Sequence, residues 1–566
     1  MPQPWIILPA SGSDQADEWV RLGVESQMSG QLPLAKTRYE QALRIDPRHA
    51  IALQNLAIVY SQSNLPNEAL LTIERAEMMD GKQPIIATNH ALMALEAERI
   101  DEALVAARRA VEIAPRDASG NPARLSLAMA HAVSGHPELA IPLYEEMLDY
   151  EPKHPAAGPN LCFVGTLADS TPEDLLRARK RWYEANRYDG PKQPHDNDRR
   201  LDRPLRVGYV GGDFKSHSAA FIFSAVLLHH TQAVEMYLYS TLPVSAKDDI
   251  RTQKFMDAAG SRWRDVSAMS DDAEVERLIR RDRIDILVDL AGHTNGGRLA
   301  LFTRKPAPVA VTMHGFAHGT GCGSDIDYFF ADPIAVPEAE RKWFAEKIID
   351  LPCIVTIEPP TDYNLRADSI PPFRKNGYFT FGANARFEKM SDDCIKAFGE
   401  ILRRTGDTKL QFKDHSLKRP FSIRRIMGLM PDVAPERLLF STASSHPDHL
   451  LAVQQNDLIL DCWPHGAGVV SLETLYMSVP LLTRIGRQPS GRTASSVLTA
   501  MGRTEWVAST TEEYIDKAVA LAEDPKPLMA ARKTLRQELL DSPVHNGYVA
   551  AVENAYREAW KEWCKS

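Results

Sequence analysis

The chain has 566 residues, of which 44% are hydrophobic and 25% are charged, and its formal net charge is -9 at pH 7. This length exceeds what one hydrophobic core organises and predicts three or four domains of about 150 residues each. The negative charge and the lack of a long basic run argue against nucleic acid as the main partner, and no apolar run approaches the ~18 residues of a membrane span.

The N-terminal region repeats every 34 residues. The recurring positions are Ala35, Ala69 and Ala103, then Ala42, Ala76 and Ala110, and the helix terminators Pro47, Gly81 and Pro115. This pattern is that of the tetratricopeptide repeat, a pair of helices, and a fourth copy is displaced by three extra residues around Asn121. We therefore expect an all-α superhelix over residues 1–165. Its concave face either holds a polypeptide or only buttresses the next domain, and both interpretations stay open.

A charged helical segment and a polar run predict a helical linker over residues 166–204. Apolar runs then alternate with helical stretches over residues 205–362, which predicts a parallel, doubly wound sheet in a Rossmann-like domain. The predicted strands are 205–210, 236–241, 284–292, 309–316, 326–332 and 347–352. Ligands of such domains bind beyond the carboxyl ends of the strands.

Four histidines lie in or beside the loops that follow these strands. We single out His217 as an acid–base or substrate-positioning group, because imidazole titrates near neutral pH; a structural hydrogen-bonding role is the alternative. The other three, His293, His314 and His318, are spaced by 21 and 4 residues, which matches no common zinc pattern.

Residues 377–543 alternate in the same way and predict a second Rossmann-like domain, so the fold class is α/β with an N-terminal all-α superhelix. The predicted strands are 378–389, 409–414, 437–442, 457–463, 479–486 and 505–510. Residues 544–566 form an aromatic amphipathic helix, which we expect to strap the two domains together.

The segment 456–483 reads as strand, glycine loop and helix. Backbone N–H groups of such a loop and the positive end of the helix stabilise a phosphate, and Glu473 would accept from ribose hydroxyls. Lys389, at the end of the first strand of the same domain, would add a point charge beside the phosphate. A plain tight connection with a solvated Glu473 is the alternative.

The six cysteines stand far apart with no CxxC pair, so neither a disulfide framework nor a zinc site is suggested. The N-terminus lacks the basic flank and the apolar length of a signal peptide. We expect a cytoplasmic protein without a metal cofactor.

Together these features resemble a known family. The repeats are followed by the segments GYVGGDFKSH, ILVDLAGHTNGGR, ARFEK and LILDCWPHGAGVVSLETLYMSVP, and the whole is similar to the O-linked N-acetylglucosamine transferases in a bacterial-type form. The resemblance covers nearly the whole chain. It implies a glycosyltransferase-B fold, UDP-N-acetylglucosamine as donor, and inverting, metal-free transfer to Ser or Thr hydroxyls of a polypeptide held along the repeats and the interdomain cleft.

The resemblance also implies roles for single residues. His217 matches an essential loop histidine, Lys389 the lysine on the diphosphate, and Glu473 the ribose carboxylate, although an Asp stands there in animal enzymes. Arg386 matches a position near uracil and His449 a histidine near the uridine. The glycine loop implies further UDP contacts, from His465, Gly466, Gly468, Val469 and Val470.

The chain departs from the family in two places. Gly468, Val469 and Val470 stand where animal enzymes have His-Thr-Thr, so two hydroxyls are missing at the diphosphate. Asp285 replaces a histidine near the sugar, and possible sugar-side residues are Asp285, His293 and His318.

Alternatives follow from these departures. UDP-glucose is the alternative donor, and a UDP-binding peptide scaffold with little turnover is the alternative function. A nucleotide-sugar epimerase would leave the repeats unused. The general base is either His217 or an oxygen of the donor phosphate, and the oligomeric state is left open.

The pair Asp325 and Asp327 forms a DxD, the motif by which single-domain nucleotide-sugar transferases hold Mn²⁺. It enters a predicted strand, so both carboxylates should lie at the beginning of that strand. Because ligands bind at the opposite edge, we predict no metal role for this pair.

Overall fold

The computed structural model describes residues 5–9, 14–245, 249–315, 318–442 and 445–565. The chain divides into two compact units, Met1–Ala157 with Arg419–Ser422, and Gly158–Lys418 with Ile423–Ser566. Within the described residues, no helix has both the length and the apolar character needed to cross a membrane. The domain boundaries given above stay predictions.

The first unit consists of paired helices, as the 34-residue period predicts. The helices are α1 (Gln15–Met28), α2 (Leu32–Ile45), α3 (Ala50–Gln62), α4 (Pro66–Met79), α5 (Pro84–Glu96), α6 (Ile100–Ile113), α7 (Asn121–Val133) and α8 (Ile141–Tyr150). Helix α1 packs against α2, α3 against α4, and α5 against α6. The alanines Ala35, Ala69 and Ala103 have no exposed surface, because they lie where paired helices approach closely.

The second unit carries two parallel sheets and sixteen further helices among the described residues. The helices are α9 (Ala157–Leu167), α10 (Pro172–Asn186), α11 (Ser218–Leu227), α12 (Ile250–Ala259), α13 (Asp272–Arg281), α14 (Leu299–Thr303), α15 (Phe373–Asn376), α16 (Asp392–Arg404), α17 (Pro420–Leu429), α18 (His446–Val453), α19 (Val469–Tyr476), α20 (Thr493–Ala500), α21 (Thr511–Glu523), α22 (Lys526–Ala531), α23 (Leu535–Asp541) and α24 (Tyr548–Lys565).

The first sheet confirms the predicted parallel, doubly wound arrangement. Its strands are β1 (Leu205–Gly211), β2 (Val234–Ser240), β3 (Trp263–Asp265), β4 (Ile286–Asp289), β5 (Val309–Thr312), β6 (Tyr328–Ala331) and β7 (Lys347–Asp350). They lie in the order β3-β2-β1-β4-β5-β6-β7. Strand β3 was not predicted, since it has only three residues and a single hydrophobic one, Trp263.

The second sheet repeats this topology. Its strands are β8 (Thr380–Ala383), β9 (Lys409–Lys413), β10 (Leu438–Ser441), β11 (Leu458–Leu460), β12 (Leu481–Arg484) and β13 (Val507–Ala508), in the order β10-β9-β8-β11-β12-β13. In both sheets the order reverses between the first and fourth strands, at β1 and β4 and at β8 and β11. The loops after these strands therefore flank the switch points, where α/β sheets bind ligands.

Helix α16 shows how the sequence sets the elements beside the site. It begins where Ser391 accepts a hydrogen bond from the Cys394 N–H over 3.2 Å, as the N-cap of the helix. Asp392 and Asp393 follow in the first turn, where their negative charges stabilise the helix by interacting with the positive end of its dipole. The predicted start of this helix is confirmed.

Helix α24 follows the second sheet in the sequence but packs on the first. The Tyr556 hydroxyl lies 3.1 Å from that of Tyr209 in β1, and Glu553 Oε1 lies 3.0 Å from His230 Nδ1. The indole of Trp560 is fully buried. The end of the chain thus returns to the first sheet, and the role of α24 as a strap between both domains stays a prediction.

Candidate active site

The loop after β1 brings His217 to the start of α11. His217 is the N-cap residue, and its Nδ1 accepts from the Ala219 N–H over 3.3 Å. Asp213 Oδ2 lies 3.4 Å from the same nitrogen, and the side chain of His217 is 45% exposed. The loop is held from outside by Asp249, which accepts the Ser216 N–H over 2.8 Å. An exposed imidazole on an anchored loop is available to a substrate.

The loops after β8 and β11 are tied together. The Ser391 N–H donates to the Trp463 carbonyl over 3.0 Å, and Lys389 Nζ lies 3.5 Å from the Gly466 carbonyl. The structure therefore brings the Lys389 ammonium to the glycine loop. Burial, together with the nearby charge of Arg386, lowers the pKa of Lys389 to about 8.

A buried carboxylate shapes the glycine loop from inside. Asp461 accepts the Ala467 N–H over 2.7 Å and the Thr483 hydroxyl over 2.7 Å. Burial raises the pKa of Asp461 to about 6, against the lowering effect of these hydrogen bonds. A side-chain carbon at Gly466 would come within 3.0 Å of Asp461 Oδ2, so the loop has little room for a larger residue there.

Helix α19 begins directly after this loop, at the predicted residue. The N–H groups of the first turn of a helix have no partner within it, and they carry the positive end of the helix dipole. Val469 and Val470 occupy this first turn and are half-buried. A side-chain carbon at Gly468 would meet no atom within 4 Å, so the loop is open at this point.

Glu473 is held by two histidines of α18. His446 Nε2 lies 2.6 Å from Oε1 of Glu473, and His449 Nε2 lies 3.3 Å from Oε2. Burial would raise the pKa of Glu473, but the hydrogen bonds to His446 and His449 outweigh it and hold the pKa below its ordinary value. His449 Nδ1 in turn accepts from Lys413 Nζ over 2.8 Å. The carboxylate is therefore ionised at neutral pH.

Some of these groups, among them His217 and Glu473, line a cavity of about 550 Å³, within the usual size range of ligand sites. Residues from the loops of both sheets line it, namely Ser216, His217, Ser218, Phe221, Tyr363, His446, Pro447, His449, Val469, Val470 and Glu473. The cavity thus joins five of the predicted site residues: His217, His449, Val469, Val470 and Glu473.

The other residues predicted to bind UDP lie outside this lining, namely Lys389, Gly466, Gly468, Arg386 and His465. Arg386 is exposed, with its guanidinium 6.0 Å from the ring of Phe163. His465 Nδ1 lies 3.2 Å from the Thr166 hydroxyl, and burial, followed by the charge of Lys389, holds the pKa of His465 well below its usual value.

His293 and His318 are buried behind the loops of the first sheet. His293 Nε2 donates to the Thr320 carbonyl over 2.8 Å, and burial lowers the pKa of His293 to about 4. Burial, with the charge of Arg179, also holds the pKa of His318 well below its ordinary value. Both imidazoles are neutral at pH 7, and neither lines the cavity.

The expectation for Asp285 needs correction. Asp285 precedes β4, so it lies at the amino end of the strand, opposite the edge where the cavity forms. It is almost fully buried and paired with Arg203, whose Nη1 and Nη2 atoms lie 2.6 and 2.8 Å from its two oxygens. It also accepts the Arg206 N–H over 2.8 Å. The structure therefore gives Asp285 a structural ion pair and not a place beside a sugar.

The DxD pair lies at the amino end of β6, as predicted. Asp325 accepts from the Tyr183 hydroxyl over 2.7 Å and pairs with Lys192. Asp327 pairs with Lys305 over 2.6 Å. Both carboxylates are thus already balanced by lysines.

Six residues of the cavity lining were not predicted as site residues, and two of them, Phe221 and Tyr363, contact a third, His446. His446 stands three positions before His449 at the start of a helix, and this spacing places both on one face, a signal that was available. The rings of Phe221 and His446 are tilted by 33° with their centroids 4.2 Å apart, and the Tyr363 hydroxyl lies 3.1 Å from His446 Nδ1. Tyr363 lies between the predicted domains, where no periodic pattern marks it.

Two plant proteins are similar to most of this chain. The probable UDP-N-acetylglucosamine–peptide N-acetylglucosaminyltransferase SPINDLY of Arabidopsis thaliana is 30% identical over 432 residues, which cover 73% of this chain and 46% of the plant protein. The protein of the same description from Oryza sativa is 30% identical over 440 residues, 74% of this chain and 46% of its own length. The chain thus spans about half the length of these relatives.

A solved structure is similar over the whole chain. A mutant of the Thermobaculum terrenum O-GlcNAc transferase superposes with a TM-score of 0.76 at 26% identity, covering 98% of this chain and 99% of the other. This similarity confirms the predicted glycosyltransferase-B architecture. A family model for glycosyl transferase family 41 matches residues 185–358 and 383–552, which include both sheets' switch-point loops. On this match, with His217, Lys389 and Glu473 inside it, the chain belongs to glycosyl transferase family 41.

Proposed function

We propose that the protein is an inverting glycosyltransferase that moves N-acetylglucosamine from UDP-N-acetylglucosamine to Ser or Thr hydroxyls of polypeptides. The observation that carries this proposal is the 550 Å³ cavity that both His217 and the ionised Glu473 line. An exposed imidazole and a carboxylate that accepts from hydroxyls suit a nucleotide sugar better than an apolar ligand. The names of the relatives support the same donor and acceptor classes.

The reaction is a single displacement. The acceptor oxygen attacks the anomeric carbon, the bond from that carbon to the β-phosphate oxygen breaks, and the electron pair leaves with UDP. The acceptor proton passes to a base, either His217 or an oxygen of the donor phosphate. Attack from the face opposite the leaving group inverts the anomeric configuration.

Charge on the leaving diphosphate needs compensation without a metal. Lys389 supplies one positive charge beside the glycine loop, and the N–H groups at the start of α19 supply the helix dipole. Such donors act most strongly in the transition state, because charge develops on the phosphate as the bond breaks. Glu473 takes the ribose hydroxyls, with Arg386, His449 and His465 as further contacts to UDP.

The proposal extends to partners and place. The acceptor polypeptide is held along the helical repeats, neither nucleic acid nor a membrane takes part, and the protein works in the cytoplasm. All six cysteines are free thiols, which suits a reducing compartment.

One observation favours a second candidate, a UDP-binding scaffold with low turnover. Val469 and Val470 line the cavity and offer no hydroxyl to the diphosphate. The same deficit leaves UDP-glucose open as the donor.

The test measures UDP release from UDP-N-acetylglucosamine and from UDP-glucose, with and without a mixture of Ser- and Thr-containing peptides. We expect peptide-dependent release with the first donor. Lys389→Ala should lower turnover by roughly 10² to 10³, the scale for losing one such donor. Lys396→Ala is the control, because this lysine is exposed on α16. If the protein binds UDP tightly but releases no UDP from either nucleotide sugar, the UDP-binding scaffold is favoured.

A further inference from the structure

Residues 5–9 lie against the helical repeats of the first unit, with neither helix nor strand of their own. Their contacts alternate along the chain. The main-chain groups of Ile6 and Leu8 bond to side chains of α3 and α5, whereas Trp5 and Ile7 pack against an apolar cluster of the repeats. This alternation is the pattern of an extended strand seated in a groove.

Two asparagines hold the main chain of this segment. Asn55 Oδ1 accepts the Leu8 N–H over 3.1 Å, and its Nδ2 donates to the Leu8 carbonyl over 2.8 Å. Asn89 Nδ2 donates to the Ile6 carbonyl over 3.0 Å, and its Oδ1 lies 3.5 Å from the Ile6 N. Each amide thus pairs with a peptide group as a neighbouring strand would.

The two asparagines occupy equivalent positions of neighbouring repeats. They are 34 residues apart, which is the repeat period, and both are fully buried. Gln54, the neighbour of Asn55, adds a third bond, from its Nε2 to the Ile6 carbonyl over 3.0 Å. Buried amides need partners, and here the partners belong to a peptide backbone and not to another helix.

None of these hydrogen bonds involves a side chain of the segment. A groove that pairs with main-chain groups takes many sequences, and apolar side chains at alternate positions add affinity. The groove is therefore suited to an extended polypeptide of varied sequence with apolar residues at every second position.

We propose that residues 5–9 are a built-in occupant of a polypeptide-binding groove, and that an extended segment of a partner polypeptide must displace them. The inference rests on the proposed function in taking the acceptor polypeptide as that partner. The tether gives residues 5–9 a high effective concentration, so a free peptide competes poorly with them. The segment thus inhibits binding of short peptides to the groove. Only a partner that makes additional contacts elsewhere on the repeats binds tightly enough to displace it.

The test uses the full chain without any donor. Leu8→Pro removes the N–H that Asn55 accepts, and Leu8→Ala, which keeps that N–H, is the matched control. The probe is a fluorescently labelled peptide that repeats residues 2–12, PQPWIILPASG. We expect its anisotropy to report at least ~10-fold tighter binding to Leu8→Pro than to the wild type or Leu8→Ala, because the tethered competitor is lost.

Adding Asn89→Ala to Leu8→Pro should remove this gain. The inference is overturned when Leu8→Pro binds the peptide no better than the wild type, or when Asn89→Ala leaves its binding unchanged. Circular dichroism checks that each variant is folded.

Hydrogen exchange of the wild-type chain provides a measurement that needs no variant. The amide of Leu8 should exchange slowly, and an excess of unlabelled peptide should speed its exchange. Fast exchange of this amide in the free protein also overturns the inference. If the protein binds the peptide in this way but transfers no sugar, the inference holds and the proposed function is wrong. If it transfers sugar but the peptide binding is not as expected, the proposed function holds and the inference is wrong.

Discussion

His446 and Glu473 form a 2.6 Å hydrogen bond that ties the start of α18 to the middle of α19. The ring of His446 is fixed on its other side by Phe221 and by the Tyr363 hydroxyl, so this one imidazole links α18 to α11 and to the segment between the two sheets. Because Glu473 is ionised and already paired, its position is set before a ligand arrives. A hydrogen-bond acceptor that is already held in place loses less conformational entropy on ligand binding than a mobile side chain does.

The first prediction concerns Glu473. Glu473→Ala should weaken UDP binding about 10-fold or more, since a charge-assisted hydrogen bond contributes about 1.5–3 kcal/mol and each ~1.4 kcal/mol is a factor of ten. Glu473→Gln keeps the shape of the side chain and loses its charge, so its affinity for UDP should lie between those of the wild type and Glu473→Ala. Calorimetric titration with UDP gives both affinities, with the exposed Glu512→Ala as control. Unchanged affinity in Glu473→Ala would remove it from the ribose site.

The second prediction concerns pH. Only the protonated Lys389 neutralises the leaving phosphate, and its pKa is lowered to about 8. The value of kcat/KM, which reports the free enzyme, should therefore be at its plateau below about pH 8 and fall as pH rises through this pKa. Lys389→Arg stays charged and should lose this alkaline limb, whatever its absolute rate. An identical limb in Lys389→Arg would assign the titration to another group.

The third prediction concerns His217. As base or as positioning group, its loss should depress kcat more than UDP affinity. His217→Ala also removes a helix cap, at a cost of about 1 kcal/mol in stability, so His217→Asn is the matched variant that can restore the cap without a titrating ring. His229→Ala, at an exposed histidine paired with Glu358, is the control. Recovery of kcat in His217→Asn would show that the cap, and not the imidazole, matters.

The fourth prediction concerns metal. EDTA should leave sugar transfer intact, because Lys389 and the start of α19 compensate the diphosphate. Asp325→Asn breaks a buried contact with Lys192 and Tyr183, so it should lower the unfolding free energy by about 1–3 kcal/mol while activity changes far less than in Lys389→Ala. Thermal unfolding and turnover are measured on the same samples. Activity that disappears in EDTA and returns with Mn²⁺ contradicts the metal-free mechanism.

The fifth prediction concerns the missing hydroxyls. Val469→Thr and Val470→Thr nearly conserve volume at half-buried positions of the cavity, and each adds one hydroxyl donor. A hydrogen bond made only in the transition state at about 0.5–1.5 kcal/mol corresponds to a roughly 2- to 10-fold rise in kcat. Val105→Thr, at an exposed position of the repeats, is the control. No rise in either variant would mean that the backbone N–H groups already suffice.

Among the described residues, the sequence predicted every strand except β3, whose three residues, Trp263–Asp265, form no apolar run. It also predicted which loops meet, since the carboxyl ends of neighbouring strands share one edge. The sequence-based prediction was wrong for a residue whose ion-pair partner is distant in the sequence. Asp285 was placed inside a strand that starts at Ile286, and its partner Arg203 lies in the linker.

The position of Tyr363 illustrates the same limit. A tyrosine between two domains has no periodic context, so only the folded chain shows that it faces His446. Glu473 was predicted as an acceptor for ribose, but its two histidine partners depend on how α18 lies beside α19, which no local pattern encodes.

Helix α24 has a consequence for biosynthesis. The ribosome makes it after the whole second sheet, yet its residues Tyr548, Tyr556 and Trp560 are buried against the first. The nascent first sheet therefore leaves this apolar surface uncovered while about two hundred further residues, from β7 to α24, are translated. This surface becomes buried only when α24 docks on it.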